Sequence, residues 1–153
     1  MSQPELIRNL QRFSTWLLLF LGIFTYGVYF AHYCARQSRI INRVLEEDRE
    51  IPDWLVDSIL VVSYGSVALF LGCLFVDDKH PVAFLSSISD LVWTILLLVW
   101  GFYARNRMNE ISGAVRGAPA WFHGLWTFMF TPMYFNYKVN VLNEASASAD
   151  AAA

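Results

Sequence analysis

The fold is decided by two apolar stretches, LVDSILVVSYGSVALFLGCLFV (residues 55–76) and VAFLSSISDLVWTILLLVWGFYA (residues 82–104). Each is as long as the roughly 20 apolar residues that a helix needs to cross about 30 Å of hydrocarbon. The residues between them, 77–81, are enough for a tight turn and for nothing longer. These stretches predict an all-α integral membrane protein built around a central two-helix transmembrane hairpin.

The composition of the 153-residue chain agrees with this class of protein. Charged residues make up 16% of the chain, whereas soluble domains carry about 25%. The net charge is −2, and no basic stripe with interleaved aromatic residues lies outside the apolar stretches, which argues against nucleic-acid binding. We expect a single helical membrane domain over residues 1–143 and a disordered, low-complexity tail over residues 144–153.

Two aromatic-rich segments, 13–34 and 118–137, flank the hairpin and either span the membrane or dip into it and return. Both carry Gly, Thr or Pro near the middle, where a re-entrant segment needs a break. The positive-inside rule compares three topologies. If all four segments span, the eleven Lys and Arg residues divide seven against four. If the first three span and the last lies at the interface, they divide eight against three; if both outer segments re-enter, they divide ten against one. We favour re-entry for segment 118–137 and leave segment 13–34 open.

Residues 35–50 are predicted to form a cytoplasmic helix that continues from the first aromatic segment. On this helix Arg36, Arg39 and Arg43 recur at spacings of three and four, so that they share one face. Such a face is either a docking surface for anionic lipid head groups or a solvated face that obeys the positive-inside rule. The acidic residues at 46–50 favour a protein partner for that part of the helix, because they would repel anionic lipid.

Asp90 is the most informative single residue. It lies nine residues into the second stretch, where an acid costs several kcal/mol unless it is paired or hydrated. Position 90 falls level with about position 67 of the first stretch. Asp90 is either a proton or cation site, or a protonated side chain that holds helices together. Its candidate hydrogen-bond partners are Ser63, Tyr64 and Ser66 on the first helix, with Ser87 on its own.

Two further features concern packing at the hairpin. Asp57 lies opposite the cytoplasmic end of the second stretch, and we predict that it pairs with Arg105 at the membrane boundary. Ala68 and Gly72 are small residues at four-residue spacing, a pattern that allows close approach of membrane helices. These small residues predict tight packing within the hairpin or between copies of the chain.

The three histidines raise the question of a cofactor. A haem would need His32 and His123, one in each aromatic segment, at matching depth on facing helices. A metal site in the turn would use Asp77, Asp78 and His80, although a short polar turn is an ordinary loop. The sequence contains no nucleophile elbow, phosphate loop, paired-His zinc motif or Cys-x-x-Cys. We therefore expect no cofactor, no metal and no enzymatic activity.

The stretch GIFTYGVYF (residues 22–30), followed by a polar helix, resembles a family of small bacterial inner-membrane proteins of unknown function. That family carries a Thr-x-Gly-[Ile/Val]-Tyr motif near the end of its first hydrophobic segment. A second, degenerate copy begins at residue 131. The resemblance implies a setting in the bacterial cytoplasmic membrane and brings no activity with it; the multi-pass topology comes from the apolar stretches. The residues that carry it are Thr25, Gly27 and Tyr29 in the first copy, and Thr131, Pro132 and Tyr134 in the second.

Together these observations predict a non-enzymatic membrane protein that acts as an accessory subunit, adaptor or scaffold of a membrane complex. Its expected partners are the lipid bilayer and another membrane protein or further copies of itself. The alternative is a small oligomeric transporter or channel for protons or cations that uses Asp90. A haem-binding electron carrier is the remote alternative.

Overall fold

The computed structural model describes residues 3–10, 14–77 and 79–150, apart from the side chains of residues 3, 4, 149 and 150. Within these ranges the chain is helical, with no β-strand. A single turn of 3-10 helix, Glu47–Arg49, precedes the fourth helix. The six helices are α1 (Gln3–Leu10), α2 (Thr15–Phe24), α3 (Val28–Asn42), α4 (Asp53–Cys73), α5 (Pro81–Ser112) and α6 (Gly124–Asp150).

The centre of the molecule is the antiparallel pair α4 and α5, hereafter the central pair. The hydroxyls of Ser66 and Ser89 lie 2.8 Å apart across it, and Gly72 faces Val82. Both helices are long and apolar enough to cross a membrane. The predicted hairpin is therefore present, and α5 continues past the predicted end at residue 104 to Ser112.

Helices α2 and α3 form a helical hairpin, hairpin 1, that packs against the central pair. The chain reverses at Tyr26 and Gly27, which have φ angles of +49° and +86°. Positive φ is accessible to glycine at little cost, which suits residue 27 to this turn. The ring of Phe30 in α3 then lies directly over Gly22 in α2, so the two helices run back alongside each other.

Helix α6 contains a second reversal, so that residues 124–130 and 132–150 form hairpin 2. Thr131 has φ −1° and ψ −113°, far from helical values, and proline at the next position disfavours the helical conformation of the residue before it. Beyond the bend, Phe135 returns to pack on Phe122, with ring centroids 5.5 Å apart. Lys138 donates to the carbonyl of Pro119, and burial lowers the pKa of this lysine.

The core lies at one end of the central pair, here called the basic end, where α4 begins and the Arg105 region of α5 lies. Trp100 is its centre: it is fully buried, donates to Ser38 Oγ at 2.8 Å, and contacts the rings of Tyr33 and Phe135. Asn136 joins both hairpins here, since it accepts from Tyr33 and donates to Thr15 Oγ1.

Two asparagines fix the segments that leave and enter this core. Asn109 donates to the carbonyl of Phe122 at 3.1 Å and accepts from its N–H at 2.7 Å. Asn42 makes the same pair of bonds with Ile51, at 3.0 and 2.9 Å. A side-chain amide can satisfy both backbone groups of one residue in this way. We call these two contacts the asparagine bridges.

Two predicted boundaries differ in the structure. The helix predicted over residues 35–50 ends at Asn42, because the bridge to Ile51 requires the chain to leave the helix and turn back. The tail predicted to be disordered over residues 144–153 is helical as far as Asp150. Alanine has the highest helix propensity, so an Ala-rich tail extends a helix that the core has already started.

Candidate functional site

The intramembrane acid predicted from the sequence lies against the tip of hairpin 1. Tyr26 Oη donates to Asp90 Oδ2 at 3.1 Å, and the Tyr26 ring stacks on Phe70 with centroids 4.6 Å apart. The turn holds Tyr26 in this position because Thr25 Oγ1 donates to the carbonyl of Leu21 and accepts from the N–H of Tyr29. Asp90 thus takes its hydrogen bond from a loop rather than from α4.

The predicted partners of Asp90 have other contacts, which corrects that part of the prediction. Ser66 pairs with Ser89, and the hydroxyl of Tyr64 lies 2.7 Å from His32 Nε2. Ser63 and Ser87 each donate to a carbonyl of their own helix. The reason is geometric: Ser66 and Asp90 both lie beside the tip of hairpin 1, and the tip supplies the donor.

Three polar contacts therefore lie near the middle of the central pair. They are Tyr26–Asp90, Ser66–Ser89 and His32–Tyr64. Each contact joins two different elements, so together they connect hairpin 1, α4 and α5. Interhelical hydrogen bonds of this kind stabilise membrane helix packing, by about 0.6 kcal/mol on average.

An open cleft of about 360 Å³ lies at this position. Asp90, Thr94 and Ser66 supply its polar groups, and Phe30 and Trp93 line its apolar wall. Asp90 is half-buried and Thr94 is exposed, so the polar groups are accessible from the outer face of α5. The arrangement can accept a hydrogen bond or a proton at the Asp90 carboxyl.

The predicted ion pair between Asp57 and Arg105 does not form. Arg105 donates through Nε to the carbonyl of Phe122 at 2.9 Å and lies 5.6 Å from the centre of the Trp121 ring. The loop before α6 therefore binds the guanidinium of Arg105, and Asp57 is exposed on α4. Glu110 forms the ion pairs of this region, with Arg49 and with Arg107.

The three arginines of the predicted basic face have different roles. Arg36 is half-buried and donates to the carbonyls of Asn9 and Leu10, which holds α1 against α3. Arg39 is exposed and bonds back to the carbonyl of Ala35. Arg43 is exposed just beyond the end of α3. The exposed basic surface is therefore formed by Arg39 and Arg43.

Both copies of the Thr motif lie at the chain reversals. Thr25 Oγ1 donates to the carbonyl four residues earlier at 2.7 Å, and Thr131 Oγ1 makes the corresponding bond to Thr127, also at 2.7 Å. Gly27 provides the positive φ of the first turn, whereas Pro132 follows the bend of the second. The tyrosines of the two copies make different contacts. The backbone N–H of Tyr29 donates to Thr25 Oγ1, whereas the hydroxyl of Tyr134 accepts from the N–H of His123.

The two histidines of the haem hypothesis have separate surroundings. His32 lies against Tyr64 on α4, while His123 is exposed just before α6 and contacts Tyr134 through its backbone. His80 accepts from the N–H of Val82 and caps the start of α5. Across the described ranges no three metal-ligating side chains cluster; Asp78, part of the hypothetical metal site, lies outside those ranges.

A second, larger cleft separates the two hairpins. It measures about 800 Å³ and is open on one side. Its walls are almost entirely apolar, and the hydroxyls of Thr15, Tyr134 and Tyr137 are its polar groups. The residues that line it are Thr15, Trp16, Leu19, Trp126, Phe130, Met133, Tyr134 and Tyr137.

Sequence reasoning missed Tyr26, Ser89 and the two bridging asparagines. Tyr26 is the variable position of the Thr-x-Gly motif, so only its place at a predicted break indicated that it lies at a tip. Asn109 and Asn42 each lie near a helix end, and nothing in the local sequence indicates a partner 13 or 9 residues away.

No protein-family model, no curated protein and no solved structure matches this chain. We therefore infer the function of the protein from its geometry.

Proposed function

We propose that this chain is a non-enzymatic, multi-pass protein of the bacterial cytoplasmic membrane that acts as an accessory subunit of a membrane complex. In this proposal α4 and α5 cross the bilayer, and both hairpins enter from the basic end and return to it. The exposure of the central pair supports the membrane setting. Only 22% of the most apolar part of α4 and 6% of that of α5 are buried, whereas the core helix of a soluble protein is mostly buried.

The distribution of charge supports the orientation. With both hairpins returning to the basic end, nine of the ten Lys and Arg residues in the described ranges lie there, and Lys79 lies opposite. Cytoplasmic loops collect Lys and Arg, so the basic end is assigned to the cytoplasm. The bacterial setting follows from the motif resemblance around Thr25 and Gly27.

The observation that carries the accessory role is a polar stripe on the uncovered side of α5. Ser87, Asp90 and Thr94 follow one another at helical spacing; Ser87 and Thr94 are exposed, and Asp90 is half-buried. Ser87 and Thr94 donate to carbonyls of their own helix, and Asp90 accepts from Tyr26. Their oxygens keep further capacity to accept hydrogen bonds, and polar residues within a membrane usually face protein or water. A spanning helix of another membrane protein, with its own hydrogen-bond donor, would use that capacity.

Photo-crosslinking in native membranes tests this role. A photoreactive residue at Ser87 should give an adduct with a second membrane protein. The same residue at Ile88, which is exposed at nearly the same depth but points elsewhere, should give little. An adduct that contains only this chain would indicate a homo-oligomer instead, and equal yields at the two positions would contradict the proposal.

The second candidate, a proton or cation pathway, is supported by the cleft beside Asp90. Liposomes that contain the protein should then conduct protons or cations, and Asp90→Asn should abolish the flux while Asp57→Asn leaves it unchanged. The absence of flux from the unmodified protein would exclude this candidate.

A further inference from the structure

The two hairpins pack against the central pair unevenly along its length. On α4 the buried residues are Leu55, Ile59, Ser63 and Ser66, and none follows between Val67 and Cys73. On α5 the buried hydrophobic residues begin at Leu97. Hairpins 1 and 2 thus surround the half of the pair at the basic end, and the other half is bare. The bare half exposes Leu71, Leu74, Phe75, Phe84, Leu85 and Leu91.

Hairpin 1 covers the central pair from the basic end as far as its tip. Gly27 packs on the ring of Trp93, and Tyr26 reaches Asp90. Asp90 lies 14 residues before Ala104, the last residue of the apolar stretch, which corresponds to about 21 Å of helix. It lies eight residues after Val82, which corresponds to about 12 Å. Measured from the basic end, the tip therefore lies slightly past the middle of the span.

Hairpin 2 covers a shorter length of the pair. A Cβ on Gly101 would lie 2.6 Å from Cγ2 of Thr131, so the bend of α6 packs at this glycine. Gly101 is three residues before Ala104, or about 5 Å of helix. Both hairpins therefore add cross-section to the half at the basic end, and only α4 and α5 continue to the loop between them.

We propose that this shape makes the protein a sensor of membrane curvature. The inference depends on the membrane placement given under Proposed function. Helices are about 10 Å across with their side chains. In the leaflet at the basic end, four hairpin segments join the two spanning helices, whereas in the opposite leaflet only the tip of hairpin 1 lies beside them. A body that is wider in one leaflet fits a bilayer in which that leaflet is expanded, so the protein prefers membrane that is convex on its basic side.

The opposite ends of the molecule provide an internal control for testing this. Arg43 at the basic end and Lys79 in the loop are both exposed. Arg43→Cys and Lys79→Cys are made in a chain whose own two cysteines are replaced by alanine. Each variant is reconstituted into giant vesicles of neutral phosphatidylcholine and labelled with an impermeant dye. Dye on Arg43→Cys reports molecules with the basic end outward, and dye on Lys79→Cys reports the reverse orientation.

Narrow tethers are then pulled from the vesicles, and the density of dye on the tether is divided by that on the vesicle. We expect a ratio above one for Arg43→Cys and below one for Lys79→Cys, since the outer leaflet of a tether is expanded. Ratios equal to one for both, or a reversed order, would overturn the curvature proposal while leaving the membrane placement intact. Failure of the protein to float with vesicles, or labelling of every molecule at both positions, would overturn the placement itself.

Discussion

Hairpins 1 and 2 reverse the chain with the same threonine bond, yet they stop at different positions along α5. Hairpin 1 ends beside Asp90 and hairpin 2 ends at Gly101, positions separated by about 16 Å of helix. Hairpin 1 is also joined to the central pair by a hydrogen bond at its tip, whereas the tip of hairpin 2 packs closely on Gly101. Local sequence thus sets where a hairpin turns, and tertiary contacts set how far it reaches.

The largest effect is expected from Gly27→Val. A β-branched residue at φ +86° is strained, and its Cβ would lie 2.5 Å from the Trp93 ring. We expect the free energy of unfolding in mild detergent to fall by about 2–5 kcal/mol, from left-handed strain and overpacking together. Hydrogen exchange should rise over residues 15–42 and stay unchanged over 124–142.

Gly65→Val is the matched control for this substitution. A Cβ at Gly65 meets nothing within 4 Å, so we expect a change below about 0.5 kcal/mol. If the two valine variants lost equal stability, the assignment of the turn to Gly27 would be wrong.

Asn109→Ala should have the next largest effect, and it concerns hairpin 2. It removes one asparagine bridge and leaves the N–H and carbonyl of Phe122 with fewer partners in a buried position. We expect a loss of about 1–3 kcal/mol, measured by denaturant titration followed by circular dichroism. Asn106→Ala, at an exposed asparagine, should cost much less; similar losses would show that the bridge is not what orders the loop.

Gly101→Ala tests the close contact at the tip of hairpin 2. The added methyl group would lie 2.6 Å from the Thr131 side chain, so we expect a cost of about 1–3 kcal/mol from overpacking. The comparison is Gly124→Ala in the same hairpin, where the nearest atom, in Arg105, is 3.6 Å away. Hydrogen exchange should rise over residues 124–142 for the first variant alone; a rise over hairpin 1 would contradict the separation of the two hairpins.

The smallest effect is expected from Tyr26→Phe. It removes the hydrogen bond to Asp90 and keeps the ring stacked on Phe70. A double-mutant cycle with Asp90→Asn should give a coupling energy of about 0.6 kcal/mol, and at most about 1.7. A coupling energy near zero would mean that Asp90 has its main partner elsewhere.

The sequence was sufficient for some of these features. Helices α4 and α5 follow from the length of two apolar stretches. Gly, Thr and Pro inside the aromatic segments indicate where a break can occur, and they favour a reversal in segment 118–137 while leaving segment 13–34 open. These are local properties, since φ preferences and hydrocarbon thickness act on each segment separately.

The remaining features depend on contacts between distant residues. Counting residues around the turn predicts a partner for Asp90 on α4, but Tyr26 at the tip of hairpin 1 is its donor. The sequence also predicts that Arg105 pairs with Asp57, but the guanidinium donates to the carbonyl of Phe122 instead. In each case the observed partner comes from a segment whose position along α5 is fixed by packing, which the order of residues in the chain does not reveal.

The short connection between α4 and α5 has a consequence for how the protein would enter a membrane. In the proposed placement, and among the residues described here, the stretch between Cys73 and Pro81 crosses to the side of the membrane opposite the basic end. That stretch contains Asp77, Asp78 and Lys79 as its charged residues, and each costs about 2.5–3.5 kcal/mol at the bilayer centre. Two apolar helices that enter together offset this cost, so insertion would proceed as one concerted step of the helical pair, with the hairpins folding against it afterwards.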